Sequence, residues 1–177
     1  MKFCIALTLL TGAVLAVPAA EPGNSRARRE DLIGAWRLVR IEVSGPSRPD
    51  VDPFYGTGSD GLLIYDRAGW FSVQIMGANR PSVDVPARRP DPADSARRDL
   101  KAAALDSYYA YYGTWSFEAA TSTVTHHAQG ALYPSEHDAV YPQHVEVHGA
   151  HMIFTRTQVV NGERVTQSKV WIRASTP

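Results

Sequence analysis

Tyr108-Tyr109-Ala110-Tyr111-Tyr112-Gly113-Thr114-Trp115-Ser116-Phe117-Glu118-Ala119-Ala120-Thr121-Ser122-Thr123-Val124-Thr125-His126-His127-Ala128-Gln129-Gly130 is the stretch on which the fold turns. Thr114 to Glu118 and Thr123 to Gly130 are strand-like runs separated by the turn residues Ala119 to Ser122, an antiparallel hairpin. Upstream, Ala96, Leu100, Ala103, Ala104, Tyr108 and Tyr111 recur near helical spacing. A helix over roughly 93–112 is therefore expected, ended by Gly113. It is the only convincing helix of the mature chain, and its tyrosines would pack it onto a sheet.

Everything around this seam reads as strand. Before it, Arg37 to Val43 alternates after Asp31-Leu32-Ile33-Gly34-Ala35-Trp36, and Leu62 to Tyr65 and Trp70 to Met76 flank the tight turn Asp66-Arg67-Ala68-Gly69. After it come Val140 to His148, His151 to Thr157 and Arg164 to Arg173, separated by Gly149-Ala150 and Asn161-Gly162, the latter a strong hairpin signal. Ser44 to Gly61 is a loop rich in Pro, Gly, Asp and Ser, and Gly77 to Asp94 is a second long loop with Pro81, Pro86, Pro90 and Pro92. Eight strands joined mostly by short antiparallel connections leave two edges if laid flat. Closure into an up-and-down barrel removes both, and a barrel of about eight strands can hold one small ligand. The expected fold is all-β: an eight-stranded antiparallel barrel with one inserted α-helix. A β-sandwich is the alternative, disfavoured by the meander connectivity.

Composition limits the function. A chain of 177 residues suits one domain. Its 18 basic and 18 acidic residues balance, and no basic stripe interleaves with aromatics, so no nucleic-acid or acidic-membrane footprint is present. A small molecule is the expected partner. Lys2 followed by the apolar run Phe3 to Val17 and then Pro18-Ala19-Ala20 reads as a signal peptide over 1–20, cleaved near Ala19 or Ala20. The run falls short of the roughly 20 apolar residues that a span needs, so stable membrane insertion after cleavage is not expected; an uncleaved anchor is the alternative. Residues 21–30 read as a polar tether and 31–175 as the barrel domain, secreted or periplasmic. Cys4, the single cysteine, falls in the segment to be removed, leaving no disulfide, thiol nucleophile or thiolate metal site.

The ordered set Leu32-Ile33-Gly34-Ala35-Trp36-Arg37-Leu38-Val39, Gly61-Leu62-Leu63-Ile64-Tyr65, Gly69-Trp70-Phe71-Ser72-Val73-Gln74-Ile75-Met76, Tyr111-Tyr112-Gly113-Thr114-Trp115 and Thr123-Val124-Thr125-His126-His127 with Gly130 resembles the lipocalin-like domain proteins, over most of Leu32 to Arg173. That resemblance implies a small eight-stranded barrel with an internal pocket, and no particular reaction. It also implies structural roles for Gly34, Trp36 and Arg173, with the tryptophan closing the barrel base beneath an arginine from the last strand.

Candidate chemistry follows from strand parity. His126 and His127 are neighbours on a strand, so only one faces the interior, either as a satisfied core histidine or as a general acid/base or ligand donor. Arg40 and Glu42 share a face with Trp36 and Leu38, so an inward Trp36 would carry both charges inward; the alternative is an exposed pair at the barrel mouth. Tyr65, Trp70, Gln74, Tyr112 and Trp115 complete the candidate ligand-binding set. His144, Glu146 and His148 alternate on one strand near His151, but a solvated face is the better reading than a metal site, and no metal or cofactor is expected. No phosphate loop, Gly-x-Ser-x-Gly elbow or His-Glu-x-x-His helix appears. The expected function is an exported binding protein for a small, partly hydrophobic molecule. The alternatives are a cofactor-free cyclase, isomerase or hydratase with a pocket histidine as acid/base, and an envelope protein acting through surface contacts, which would have a filled barrel and an exposed apolar patch.

Overall fold

The computed structural model describes residues 26–46, 52, 55–83 and 95–175. The stretch read as a signal peptide, the centre of the first long loop and the residues before Ser95 lie outside the described residues. Eight antiparallel strands follow one another around a closed barrel: β1 (Gly34–Ser44), β2 (Asp60–Tyr65), β3 (Trp70–Met76), β4 (Tyr108–Glu118), β5 (Thr123–Ala131), β6 (Val140–His148), β7 (His151–Val160) and β8 (Glu163–Arg173). The all-β, up-and-down barrel expected from the sequence is the fold observed. The β1–β8 ladder, from Trp36 opposite Arg173 to Ser44 opposite Thr166, joins the first strand to the last. A short helix, α1 (Arg29–Leu32), precedes β1, and α2 (Ser95–Asp106) lies between β3 and β4.

The helix boundary differs from the expected one. α2 stops at Asp106, where the Ser107 hydroxyl donates to the Ala103 carbonyl at 2.8 Å and the Ser107 amide to the same oxygen at 3.2 Å. Tyr108 to Tyr112 are strand. Bulky aromatics suit a half-buried pleated surface. Here they alternate: Tyr111 packs against the core, whereas Tyr112 is exposed. None of the residues of α2 is buried, and Leu100 and Leu105 are both exposed, so the helix is an excursion from the sheet and not a plug. The amide of Gly77 donates to the Ser107 carbonyl at 2.9 Å and pinches the base of that excursion.

Gly113 is accordingly no helix terminator. It sits inside β4 at a register irregularity where Tyr112 faces Gly130 and Gly113 faces Ala128, leaving Gln129 as the extra residue of a bulge. A β-carbon at Gly113 would fall far inside contact distance of the His127 carbonyl oxygen, so only glycine lets the two backbones approach this closely.

One end of the barrel is sealed from both sides of the sequence. Leu32 and Trp36 are fully buried, and the Trp36 indole N–H donates to the Leu32 carbonyl at 2.8 Å. Arg173 lays its guanidinium over the Trp36 ring at 4.2 Å and donates to the carbonyls of Ile33 (2.9 Å) and Asp31 (2.7 Å). The stacking adds on the order of 1 kcal/mol to the packing. Gly34, at φ +130°, leaves room for that arginine, since a β-carbon there would lie 2.9 Å from its Nη1. The last residues of the stretch read as a tether take part as well. Ala27 is buried, and Arg29 stacks over Trp115 at 4.5 Å while donating to the Arg67 carbonyl at 3.2 Å.

Gly113→Ala is expected to cost about 3 kcal/mol, because two backbones must separate to admit the methyl group. Urea unfolding measures this, with exposed Ser116→Ala as a control expected to change stability by less than about 0.5 kcal/mol.

Candidate functional site

The register decides which side chains meet inside the barrel. On β1, Leu38 faces Trp171 but Arg40 faces Val170, so Val39 is an extra residue and the strand's parity inverts across it. Trp36 and Leu38 point inward before the bulge, and Ile41 and Val43 do so after it. The expectation that Arg40 and Glu42 share the face of Trp36 is thereby corrected. Both lie on the outer surface, paired to each other at 2.6 Å with more than half of each side chain exposed.

His126 and His127 fall on opposite sides, and it is His126 that faces inward: it is 2% exposed, while His127 is exposed on the outside. Both ring nitrogens of His126 are engaged. Its Nε2 is hydrogen-bonded to the Tyr65 hydroxyl, and its Nδ1 lies 2.8 Å from the Tyr111 hydroxyl. Phe71 stacks on the imidazole at 4.1 Å, and Tyr65 packs in turn on Trp115 at 4.6 Å. Burial pushes the imidazole down to about 3, with the positive charges of Lys169 and His127 adding to the effect. The ring is therefore neutral at physiological pH and carries one proton between two tyrosines. The same burial pushes both phenols above their ordinary range: Tyr65 with help from Tyr111, and Tyr111 with help from Tyr141 and Glu136 against the opposing charge of Arg156.

A second polar group comes from β8. Lys169 faces Ile41 on one side and Phe154 on the other, both core residues, so it extends into the barrel. Its ammonium donates to the Gln167 side-chain oxygen at 2.7 Å, and the Gln167 amide donates to the carboxylate of buried Asp52. Burial lowers the Lys169 ammonium to about 8, with Asp52 opposing that shift and Arg156 adding to it. Between the two groups is a cavity of about 30 Å³ whose polar walls are Tyr109, Tyr111, His126, Gln143, Lys169 and Trp171. By volume it holds one or two waters. The indole N–H of Trp171, a residue only 1% exposed, has no acceptor among the described residues.

The other candidates are split by parity. Tyr65 and Trp115 are core residues, whereas Trp70 and Tyr112 are half exposed on the outside of β3 and β4. With Ile64 these two line an outer groove of about 350 Å³. Gln74 also faces away from the cavity and donates to the Ser72 hydroxyl at 3.0 Å. On β6, Glu146 sits between His144 (3.5 Å) and His148 (3.0 Å) on an exposed face, its carboxyl held below the usual range by the His148 hydrogen bond above all. Among the described residues no three such side chains converge on a point that could hold a metal ion.

Among the described residues, Lys169, Gln143, Gln167, Trp171 and Asp52 are polar groups of the interior that the sequence reading did not single out. β8 held the signal: counting back by twos from Trp171 gives Lys169, Gln167 and Val165 on one face. Asp52 lies in loop sequence with no periodicity, and nothing local marks it.

Together the closed meander, the sealed base and a small interior cavity with polar groups in its walls define a small barrel of ligand-binding type. A family profile for the lipocalin-like domain matches residues 33–174, and the chain belongs to that family. A search of curated proteins finds no match.

Because His126 is charged in the unfolded chain below its ordinary value near 6.5 but stays neutral in the folded one until about 3, acid destabilises the fold between those limits. Stability is expected to fall by up to about 1.4 kcal/mol per pH unit across that window. His126→Gln is expected to remove about one proton's worth of this slope in urea unfolding followed against pH. Arg40→Ala, at an exposed pair, is expected to cost about 0–1 kcal/mol in the same assay.

Proposed function

We propose that this protein binds a small molecule inside the barrel and places the ligand's polar head against Lys169, Gln143 and the Tyr111–His126 pair. The observation that carries this is an interior cavity whose walls include Lys169, Gln143, His126 and Tyr111. Taking a lysine ammonium out of water is costly, and a barrel built only for stability would put an apolar side chain there. Volume sets the part of the head inside the cavity at one or two non-hydrogen atoms. Any larger part of the ligand belongs nearer the mouth, where Tyr109 and Gln143 contribute.

A histidine-catalysed reaction is the weaker alternative. With both nitrogens bound and its proton affinity so depressed, His126 orients hydroxyl groups better than it exchanges protons near neutral pH. Docking through the outer groove of Ile64, Trp70 and Tyr112 has the exposed aromatics in its favour. Export is part of the proposal, supported by Lys2, the apolar run Phe3 to Val17 and Pro18-Ala19-Ala20. Among the described residues no helix is long and apolar enough to cross a membrane.

Native mass spectrometry of protein purified from its own host tests both parts. A co-purifying small molecule and a mass corresponding to cleavage near Ala19 or Ala20 are expected. Substituting Lys169→Met should reduce ligand occupancy, whereas Trp70→Ala should leave it unchanged. The opposite ranking would move the ligand to the outer groove.

A further inference from the structure

Resting on the proposal of an interior ligand, we infer that Lys169 is a nucleophile and that the ligand's head is an aldehyde carbonyl, which the side-chain amine captures as an imine at the cavity. The placement of the amine, its hydrogen-bond partner and its residue type each lead to this chemistry.

Placement follows from the register. Lys169 stands between Ile41 on β1 and Phe154 on β7, both buried, and it is a wall of the cavity together with Tyr111, Gln143 and His126. Its side chain is only part-buried, which leaves the amine within reach of a molecule entering from outside. A carbonyl group, one carbon and one oxygen, is also a head that the cavity volume admits.

The partner of the amine decides whether it can react. Its Nζ donates to the Gln167 side-chain oxygen at 2.7 Å, and among the described residues Asp52 is reached only through the Gln167 amide. A carboxylate in contact would hold the proton that a nucleophile must lose. An amide oxygen does not: a neutral amine still donates one N–H to Gln167 and keeps its lone pair free. Burial lowers the ammonium to about 8, with Asp52 opposing the shift and Arg156 adding to it. On the order of a tenth of the amine is then neutral at pH 7, against fewer than about one in a thousand for an ordinary lysine near 10.4.

Residue type points the same way. Of the 18 basic residues only Lys2, Lys101 and Lys169 are lysines, and the cations that cap aromatic rings, Arg29, Arg80, Arg156 and Arg173, are all arginine. Arginine stays charged and cannot attack a carbonyl as a neutral amine; lysine can. The step balances as follows: the Nζ lone pair attacks the carbonyl carbon, one N–H proton passes to the oxygen to form a carbinolamine, and the second leaves with that hydroxyl as water. Amine and aldehyde give imine and water, and nothing is oxidised or reduced. Gln143 has an amide N–H to offer the carbonyl oxygen, and the apolar walls Leu63, Val73 and Phe154 keep out water that would hydrolyse the product.

Hexanal, with a carbonyl head and an apolar tail, is the probe, and hexan-1-ol is its unreactive counterpart. The purified protein is incubated with hexanal and cyanoborohydride at pH 7 beside Nα-acetyl-lysine, and the hexylated positions are read by peptide mapping. Lys169 is expected to be labelled at least about tenfold faster than Nα-acetyl-lysine, the direction that its lowered proton affinity requires. Hexan-1-ol is expected to slow Lys169 saturably without slowing the free amine. Labelling of Lys169 no faster than the free amine overturns the inference, and so does labelling indifferent to hexan-1-ol, because no seated ligand then guides the reaction. Native mass spectrometry with hexan-1-ol keeps the two readings apart. A single-ligand complex without fast labelling leaves an interior binding site that is not covalent, whereas neither complex nor protection removes the interior site itself. Lys169→Arg, which keeps the cation, is expected to lose the trapped adduct and retain the hexan-1-ol complex.

Discussion

The ladder between β1 and β8 is the constraint on which the rest depends. Those strands are the ends of the meander, and their pairing from Trp36–Arg173 to Ser44–Thr166 removes both open edges at once. It also carries the irregularity that sets the interior. With Val39 as an extra residue, β1 keeps Trp36 and Leu38 inside near the base and Ile41 and Val43 inside beyond it, and turns Arg40 and Glu42 out to water. Without that bulge an ion pair would lie in the core, where its desolvation cost rivals its attraction.

The base and the centre of the barrel are built on different principles. At the base, large rings are capped by guanidinium groups: Arg173 on Trp36 and Arg29 on Trp115, each arginine also donating to backbone carbonyls. This gives a closed surface with its polar atoms satisfied. In the centre, Tyr65, His126 and Tyr111 form a chain of neutral donors and acceptors, and Lys169 extends into the same interior with its ammonium on the Gln167 side-chain oxygen. A cation in low dielectric is costly, and it acquires a purpose if a ligand supplies a further acceptor.

The strands, their order and the hairpin turns were legible because each rests on local patterning that closure reinforces, and the tryptophan–arginine pair was legible only through the family resemblance. The aromatic stretch was not. Tyr108, Tyr109, Tyr111 and Tyr112 satisfy both a helical and an alternating spacing, and the choice went to the strand because β3 offered an unpaired edge from Trp70 to Met76. Once the tyrosines joined the sheet, Tyr111 became an interior hydroxyl bonded to His126, a relation that a helical placement hides.

By itself the sequence determined an antiparallel barrel of eight strands and one inward histidine of the pair His126–His127, and its family resemblance implied a base closed by Trp36. Alternation along a strand and the chemistry of turns are local and survive being read one residue at a time. Tertiary structure alone decided which histidine faces in, that Arg40 and Glu42 face out, and that Asp52, Gln167 and Lys169 form one linked series. A single bulge reverses parity along everything beyond it, and hydrogen bonds spanning 115 residues of chain leave no trace in any local window.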